Sequence, residues 1–330
     1  MSVKNFYATT ADGWQIALHH WPAQRRRHRY PVLMLHGFGT NRLNLDLDRR
    51  YSIARAAMRR GFDVYILDLR GAGSSKPPEG VVRALYHWGF GEYAALDLPA
   101  AVQFVLEHSG QTMLHGLGHS LGGMLLYRFA SEAPSTLRSL TTLGAPLISE
   151  LSLGNTEAGL LKLVSKFPPN RWHVRVPYSQ VLGLAGRVTQ LSKRLVDGII
   201  FNSGNIDSEV VERMATEAID DVPVRLILEI AHQMARHDDL GPYGYETRLD
   251  RIHVPVLAMA GSVDRIAPPG AVQAVVNKIV CTDLRYRVMG IRYGDRADYG
   301  HIDLLVGRYA PEEVFPLLLD FLEETDWEFA

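Results

Sequence analysis

The sequence has one cysteine, no long apolar run and almost no net charge. Each shortage removes a class of protein. Cys281 alone cannot close an internal disulfide, so packing must hold the fold, as suits a reducing compartment. Basic and acidic side chains number 35 and 36, a net charge of −1. No field of one sign exists to draw nucleic acid or an anionic membrane. No stretch reaches the ~20 apolar residues that span a bilayer. Met1 to Gly13 lacks the apolar core of a secretory signal, so no integral membrane segment is expected and the cytoplasm is the expected location. There is no internal repeat and no low-complexity tract. H-E-x-x-H is absent and cysteine is single, which argues against a zinc site. Gly71-Ala-Gly73 does not complete G-x-G-x-x-G, so no nucleotide is expected there. Neither metal nor cofactor is called for. Homo-oligomerisation is left open.

What is present fits a globular protein with a large core: 330 residues, 47% hydrophobic and 22% charged. The length allows one large domain with an insertion, or two domains. The first part alternates strand and helix signals. Trp14–Trp21 reads as an early antiparallel strand. Tyr30–His36 and Phe62–Leu69 are apolar runs, each followed by glycine. Ser52–Arg60 reads as a helix stopped by Gly61. Glu92–His108 carries Ala95, Leu98, Val102 and Val105 on one stripe. Leu137–Leu143 is a further strand. Arg25-Arg-Arg-His-Arg29, between two strand-like runs, reads as a solvated hairpin tip. Apolar strands between helices imply a parallel sheet covered on both faces. Ligands of such sheets sit beyond the carboxyl ends of the strands. His36-Gly37, Arg70-Gly71 and Ser120 all fall there.

From Pro146 to about Asp250 the signals are helical, with no convincing strand. Helices are expected over 149–167, 179–200 and 207–219, and another opens at Asp221-Val-Pro223 and runs to His237. Val254–Ala260 and Leu284–Met289 then resume the sheet, and Pro311–Glu324 closes with a helix. The expected division is a core of 1–146 and 251–330 with a helical cap, 147–250, over the strand ends. Apolar stripes in the cap suit either plain packing or an acyl pocket.

The most telling segment is Gly116-Leu-Gly-His-Ser-Leu-Gly-Gly123. It holds Gly118-x-Ser120-x-Gly122 between an apolar run and a helix-compatible run. Three fixed positions match by chance roughly one time in ten in a chain of this length. The strand-turn-helix setting carries more weight, because it describes a nucleophile elbow with an exposed hydroxyl. A serine hydroxyl needs a base within reach, and the base needs a carboxylate. Asp264 follows the strand ending at Ala260. His301 is the last histidine and the only one past the final strand. A turn aspartate and a packed histidine are the plain alternatives. Asp303, two residues from His301, reads as a loop or supporting residue. His119 reads as packing beside the elbow. An oxyanion would be met by the Leu121 backbone N–H and by the loop His36-Gly-Phe-Gly39, where the Phe38 amide is the expected donor. Tyr86–Tyr93 reads as packing at a helix entry.

These residues resemble the α/β-hydrolase superfamily across nearly the whole chain, and within it the acid-lipase-like branch. The resemblance rests on His36-Gly-Phe38, Leu69-Arg-Gly71, Trp88–Tyr93 with Asp97-Leu-Pro-Ala100, the elbow, and Tyr299-Gly-His-Ile-Asp303-Leu-Leu-Val-Gly307. It implies a mostly parallel sheet with helices on both faces and an inserted cap. It also implies a triad of Ser120, Asp264 and His301, and a small-molecule carboxylic ester as substrate. The terminal segments are also similar to polyhydroxyalkanoate synthases, which carry cysteine where this chain has Ser120. Hydrolysis through an acyl-enzyme is the expected reaction. The alternatives are acyl transfer on the same triad and a catalytically silent binding protein.

Overall fold

The computed structural model describes residues 3–80, 86–148, 175–177, 197–236 and 248–327. Eight strands form one sheet: β1 (Lys4–Thr9), β2 (Gln15–Trp21), β3 (Val32–Leu35), β4 (Val64–Asp68), β5 (Leu114–His119), β6 (Leu137–Leu143), β9 (Val256–Gly261) and β10 (Leu284–Met289). Between β6 and β9 in the chain, β7 (Arg175–Val176) and β8 (Val222–Pro223) make a small separate ladder. The large sheet has the order β1-β2-β4-β3-β5-β6-β9-β10. Only the β1–β2 and β2–β4 pairings are antiparallel; the other five are parallel.

Alternation along the central strands builds two cores. Leu33, Leu35, Tyr65 and Leu67 face one cluster, under α2 (Leu98–Ser109) and α3 (Leu121–Glu132). Val32, Met34, Val64 and Ile66 face the other, under α1 (Ile53–Arg60) and the last helix, α8 (Ala310–Trp327). The remaining helices are α4 (Ser208–Glu217), α5 (Val224–Arg236), α6 (Pro269–Val276) and α7 (Asp303–Val306). Helices on both faces of a mostly parallel sheet match the expected fold class.

Local signals set most boundaries. Ser52 caps α1 by accepting the Arg55 N–H, and Gly61 ends it in the left-handed region. The helix expected over Glu92–His108 begins earlier, at Phe90, and runs into α2 through a wider π turn at Tyr93–Asp97. Trp88 donates from Nε1 to the Tyr93 hydroxyl and packs edge-on against Trp14, so this aromatic segment packs as expected.

Four expectations need correction. The basic run Arg25–Arg29 is not a hairpin tip, because β4 lies between β2 and β3 in the sheet. Its arginines are solvent-exposed as expected, while the link itself is anchored: His28 stacks on Phe62 at 3.7 Å, and Asp326 of α8 accepts the Arg29 and Tyr30 N–H groups. The stretch from 146 to 250 does contain strand, the β7–β8 ladder. Pro223 forces Val222 into extended backbone, so the helix expected from Asp221 starts only at Val224. Of the helix expected over 179–200, only residues 197–200 are described, and they form a turn. The helix expected over 149–167 and the end of the last cap helix at His237 lie outside the described residues.

Val210 and Met214 of α4 are buried in the same cluster as Val32, Met34 and Ile66. Residues 201–218 therefore share a core with the sheet. The parallel strands end along one edge, and His36, Ser120, Gly144 and Asp264 follow β3, β5, β6 and β9 there.

Candidate active site

Ser120 sits at φ 51°, ψ −119°, the one non-glycine residue with positive φ among the described residues. Such a conformation costs about 1–3 kcal/mol and persists only where its surroundings impose it. Here the Ser120 N–H donates to Leu143 O at 2.9 Å, and its carbonyl accepts the Met124 N–H at 3.1 Å as α3 begins. Close approach explains the flanking glycines. A Cβ on Gly118 would stand 2.5 Å from the Gly122 carbonyl carbon, and one on Gly122 would stand 2.5 Å from Leu35 O. The half-buried serine thus projects from a turn clamped between β5 and α3.

Asp264 and His301 meet although 37 residues separate them. Asp264 Oδ1 accepts the Ile266 and Ala267 N–H groups at 2.8 Å each, which fixes the carboxylate. Its Oδ2 lies 2.8 Å from His301 Nδ1, with both side chains buried. The carboxylate accepts, so the proton sits on Nδ1 and Nε2 is left with a lone pair. The His301 ring packs 4.7 Å from that of His119, the residue before the serine. No hydrogen bond joins the Ser120 hydroxyl to His301 among the described residues. The structure therefore brings Asp264 and His301 into contact and sets Ser120 on the same rim, one residue from His119.

Of the two amides singled out for an oxyanion, one follows the serine directly and the other follows Gly37, where a Cβ would stand 3.4 Å from Ser120 Cβ. Leu121 is the first residue of α3, so its N–H has no acceptor within the helix. Phe38 lies in the loop after β3, which is held on all sides. The Leu69 N–H donates to His36 Nε2, which assigns the other proton to Nδ1, and Nδ1 donates to Gly37 O at 2.9 Å. Thr40 Oγ1 donates to the same carbonyl. Asn44 Oδ1 accepts from the Gly37 N–H and lies 3.0 Å from His119 Nδ1, tying this loop to the elbow. Burial pushes the His36 imidazole below its usual range, and burial together with the nearby His301 pushes His119 well below it.

Asp303 is fully buried. Its Oδ2 accepts the Gly300 N–H at 2.7 Å and the Asn202 N–H at 2.9 Å. Burial raises its pKa to about 7. It supports the His301 loop, as its position suggested, and does not touch His301 Nδ1. After β4, Arg70 is enclosed by Asp97 and Asp12 through four hydrogen bonds, so its charge is spent inside the protein. Asn44, Asp68 and Asp220 also organise this rim, and sequence reasoning did not single them out. They belong to no motif, and their partners are distant in the chain. Among the described residues no group of three or more His, Cys, Asp or Glu could hold a metal ion. No helix among them is long and apolar enough to cross a membrane.

A strained serine between a parallel strand and a helix, with a carboxylate-bound histidine on the same rim, defines a hydrolase-type scaffold. The family model for the alpha/beta hydrolase fold matches residues 30–307, and the chain belongs to that family. It is 23% identical over 319 residues to a poly(3-hydroxyalkanoate) polymerase subunit of Haloferax mediterranei, covering 93% of this chain and 61% of that protein. It is 22% identical over 360 residues to human lipase member K, covering 97% and 88%. The chain spans only 50% and 44% of two triacylglycerol lipases that it also matches. A monoacylglycerol lipase from Paleococcus ferrophilus superposes with a TM-score of 0.63 at 18% identity, covering 93% of this chain and 99% of that one, and shares the fold.

Proposed function

We propose that this protein is a serine carboxylic-ester hydrolase that works through an acyl-enzyme on Ser120. The observation that carries the reading is the Asp264–His301 hydrogen bond beside the strained serine. His301 Nε2 takes the hydroxyl proton as Ser120 Oγ bonds to the ester carbonyl. Asp264 keeps the imidazole in the right tautomer and stabilises its cation. The Leu121 and Phe38 amides receive the oxyanion. The tetrahedral species expels the alcohol, which leaves with the proton from His301. Water, deprotonated by the same nitrogen, then attacks the acyl-enzyme and releases the acid. The chemistry needs neither metal nor cofactor. The lipases among the relatives support an acyl ester as substrate, and the expected cap, residues 147–250 apart from the sheet-packed 201–218, would lie above it. The single, half-buried cysteine suits a reducing compartment, and we assign the protein to the cytoplasm.

Acyl transfer to an alcohol would use the same groups, and the similarity to a polymerase subunit is its one support. Steady-state turnover of p-nitrophenyl butyrate tests the reading. Ser120→Ala lowers kcat by several powers of ten in a folded protein; native turnover in that variant would end it.

A further inference from the structure

One described segment, residues 197–220, touches both the His301 loop and the Phe38 loop. At its first end the Ile302 N–H donates to Ile200 O at 3.1 Å. The Asn202 N–H donates to Asp303 Oδ2 at 2.9 Å, and Asn202 Nδ2 donates to Asp298 O at 2.7 Å. Gly300, directly before His301, makes room for this crossing. A Cβ there would stand 2.9 Å from Phe201 Cα and 3.0 Å from Asn202 N. At the other end the Asp220 N–H donates to Gly39 O at 2.9 Å, one residue past Phe38, and the Asn41 N–H donates to Ala218 O at 3.0 Å. Asp220 Oδ2 accepts from Asn41 Nδ2 at 3.0 Å and from the Gly73 N–H at 2.8 Å. Between the ends, α4 buries Val210 and Met214 in the core, and Arg213 reaches Asp48 and Leu47 O.

The two loops leave β3 and β10, which are four strand positions apart in the sheet. At about 4.8 Å per step that is roughly 19 Å. The loops nevertheless converge on His119, whose Nε2 lies 3.3 Å from His301 O and whose Nδ1 meets Asn44 beside Gly37, and their spacing is critical because a misplacement of about 1 Å can lower a rate ~100-fold.

We propose that residues 197–220 form a strap that fixes the Phe38 amide relative to His301, with Asp220 and Asp303 as its positioning residues. The inference deepens the hydrolase reading and rests on it. The strap ties the oxyanion side of the site to the imidazole side directly, outside the sheet. Asp220 acts on the loop through Gly39 and Asn41, and touches no reacting atom.

Full-length Asp220→Ala tests the tie with two readouts on one sample. On p-nitrophenyl butyrate, kcat falls roughly 10- to 100-fold while KM changes less than about threefold. The Ki of a butyl trifluoromethyl ketone, whose serine adduct places an oxyanion on the same amides, rises by the same factor. Asp220→Asn recovers most of both, since its amide oxygen still accepts from Asn41 and Gly73. Asn41→Ala removes the same side-chain bond from the other side, the backbone bonds of Asn41 and Asp220 staying in place, and gives the same paired change even if Asp220→Ala folds poorly. Native kcat in both variants, or lost kcat with an unchanged Ki, would overturn the strap. Ser120→Ala is the control that separates the two claims. If it is inactive while Asp220→Ala and Asn41→Ala are unaffected, only the strap fails; if it still turns over, the hydrolase reading fails first.

Discussion

Replacing Gly122 by alanine separates the two proposed oxyanion donors along a direction that the structure defines. The new Cβ would stand 2.5 Å from Leu35 O, 2.7 Å from His36 O and 2.8 Å from the Leu35 carbonyl carbon, all backbone atoms at the end of β3. Ordinary contact begins near 3.4 Å, so α3 and β3 must part by about 0.9 Å. Overpacking of this kind costs about 1–3 kcal/mol, which lowers the melting midpoint by about 1–4 °C in a protein of this size. The effect on rate is larger. Leu121 rides on α3 and Phe38 follows β3, so the same widening displaces one amide from the other, and kcat falls on the order of 100-fold. Gly116→Ala on β5 is the control. Its Cβ meets side-chain methyl carbons of Leu126 and Leu137, the nearest at 3.1 Å, so it loses some stability and keeps kcat. Thermal melts and turnover of p-nitrophenyl butyrate on the two variants decide the point. Native kcat in Gly122→Ala would refute the placement of the donors.

Three further outcomes follow from single groups. Asp264→Asn keeps the shape but allows the wrong imidazole tautomer, so kcat falls about 10⁴-fold with KM little changed, measured by steady-state kinetics. Asp303 has a folded pKa raised to about 7, so its contribution to stability is full below about pH 3.8 and is lost as pH rises through 7. Asp303→Asn therefore removes this decline, bounded at ~4 kcal/mol, and retains activity, whereas Asp303→Ala loses it; melting curves from pH 5 to 8 and turnover check both. Asp326 is the opposite case. Burial alone would raise its pKa, but hydrogen bonds from His115, His28 and the Arg29 and Tyr30 amides outweigh it and hold the carboxyl far below its usual range. Its contribution is present above about pH 3.8 and is lost as pH falls further, so Asp326→Asn is less stable at pH 7 and flatter in acid, as read by melts from pH 7 to 3.

The sheet was legible because its central strands are short apolar runs punctuated by glycine. Val32–Leu35, Val64–Asp68 and Leu137–Leu143 fall inside the runs read from sequence, and the helix from Ser52 to Gly61 carries both of its caps. The elbow was legible because strain at Ser120 demands glycine on either side. Strand order was not: β4 lies between β2 and β3, all three are buried alike, and no local pattern records a neighbour. The supports of the candidate site were hidden for a related reason. Asn44 meets His119 across 75 residues, and Asp220 meets Gly73 across 147. Each is an ordinary polar residue until the fold gives it a partner. The β7–β8 ladder is two residues per strand, too short for any period to register.

The central claim is that Ser120 is a nucleophile activated by His301. Treatment of the native protein with a fluorophosphonate, followed by intact and peptide mass measurement, tests it most directly. One adduct on Ser120 is expected, formed far more slowly in His301→Ala. A protein that stays unlabelled, or an adduct at another residue with Ser120 untouched, would contradict it.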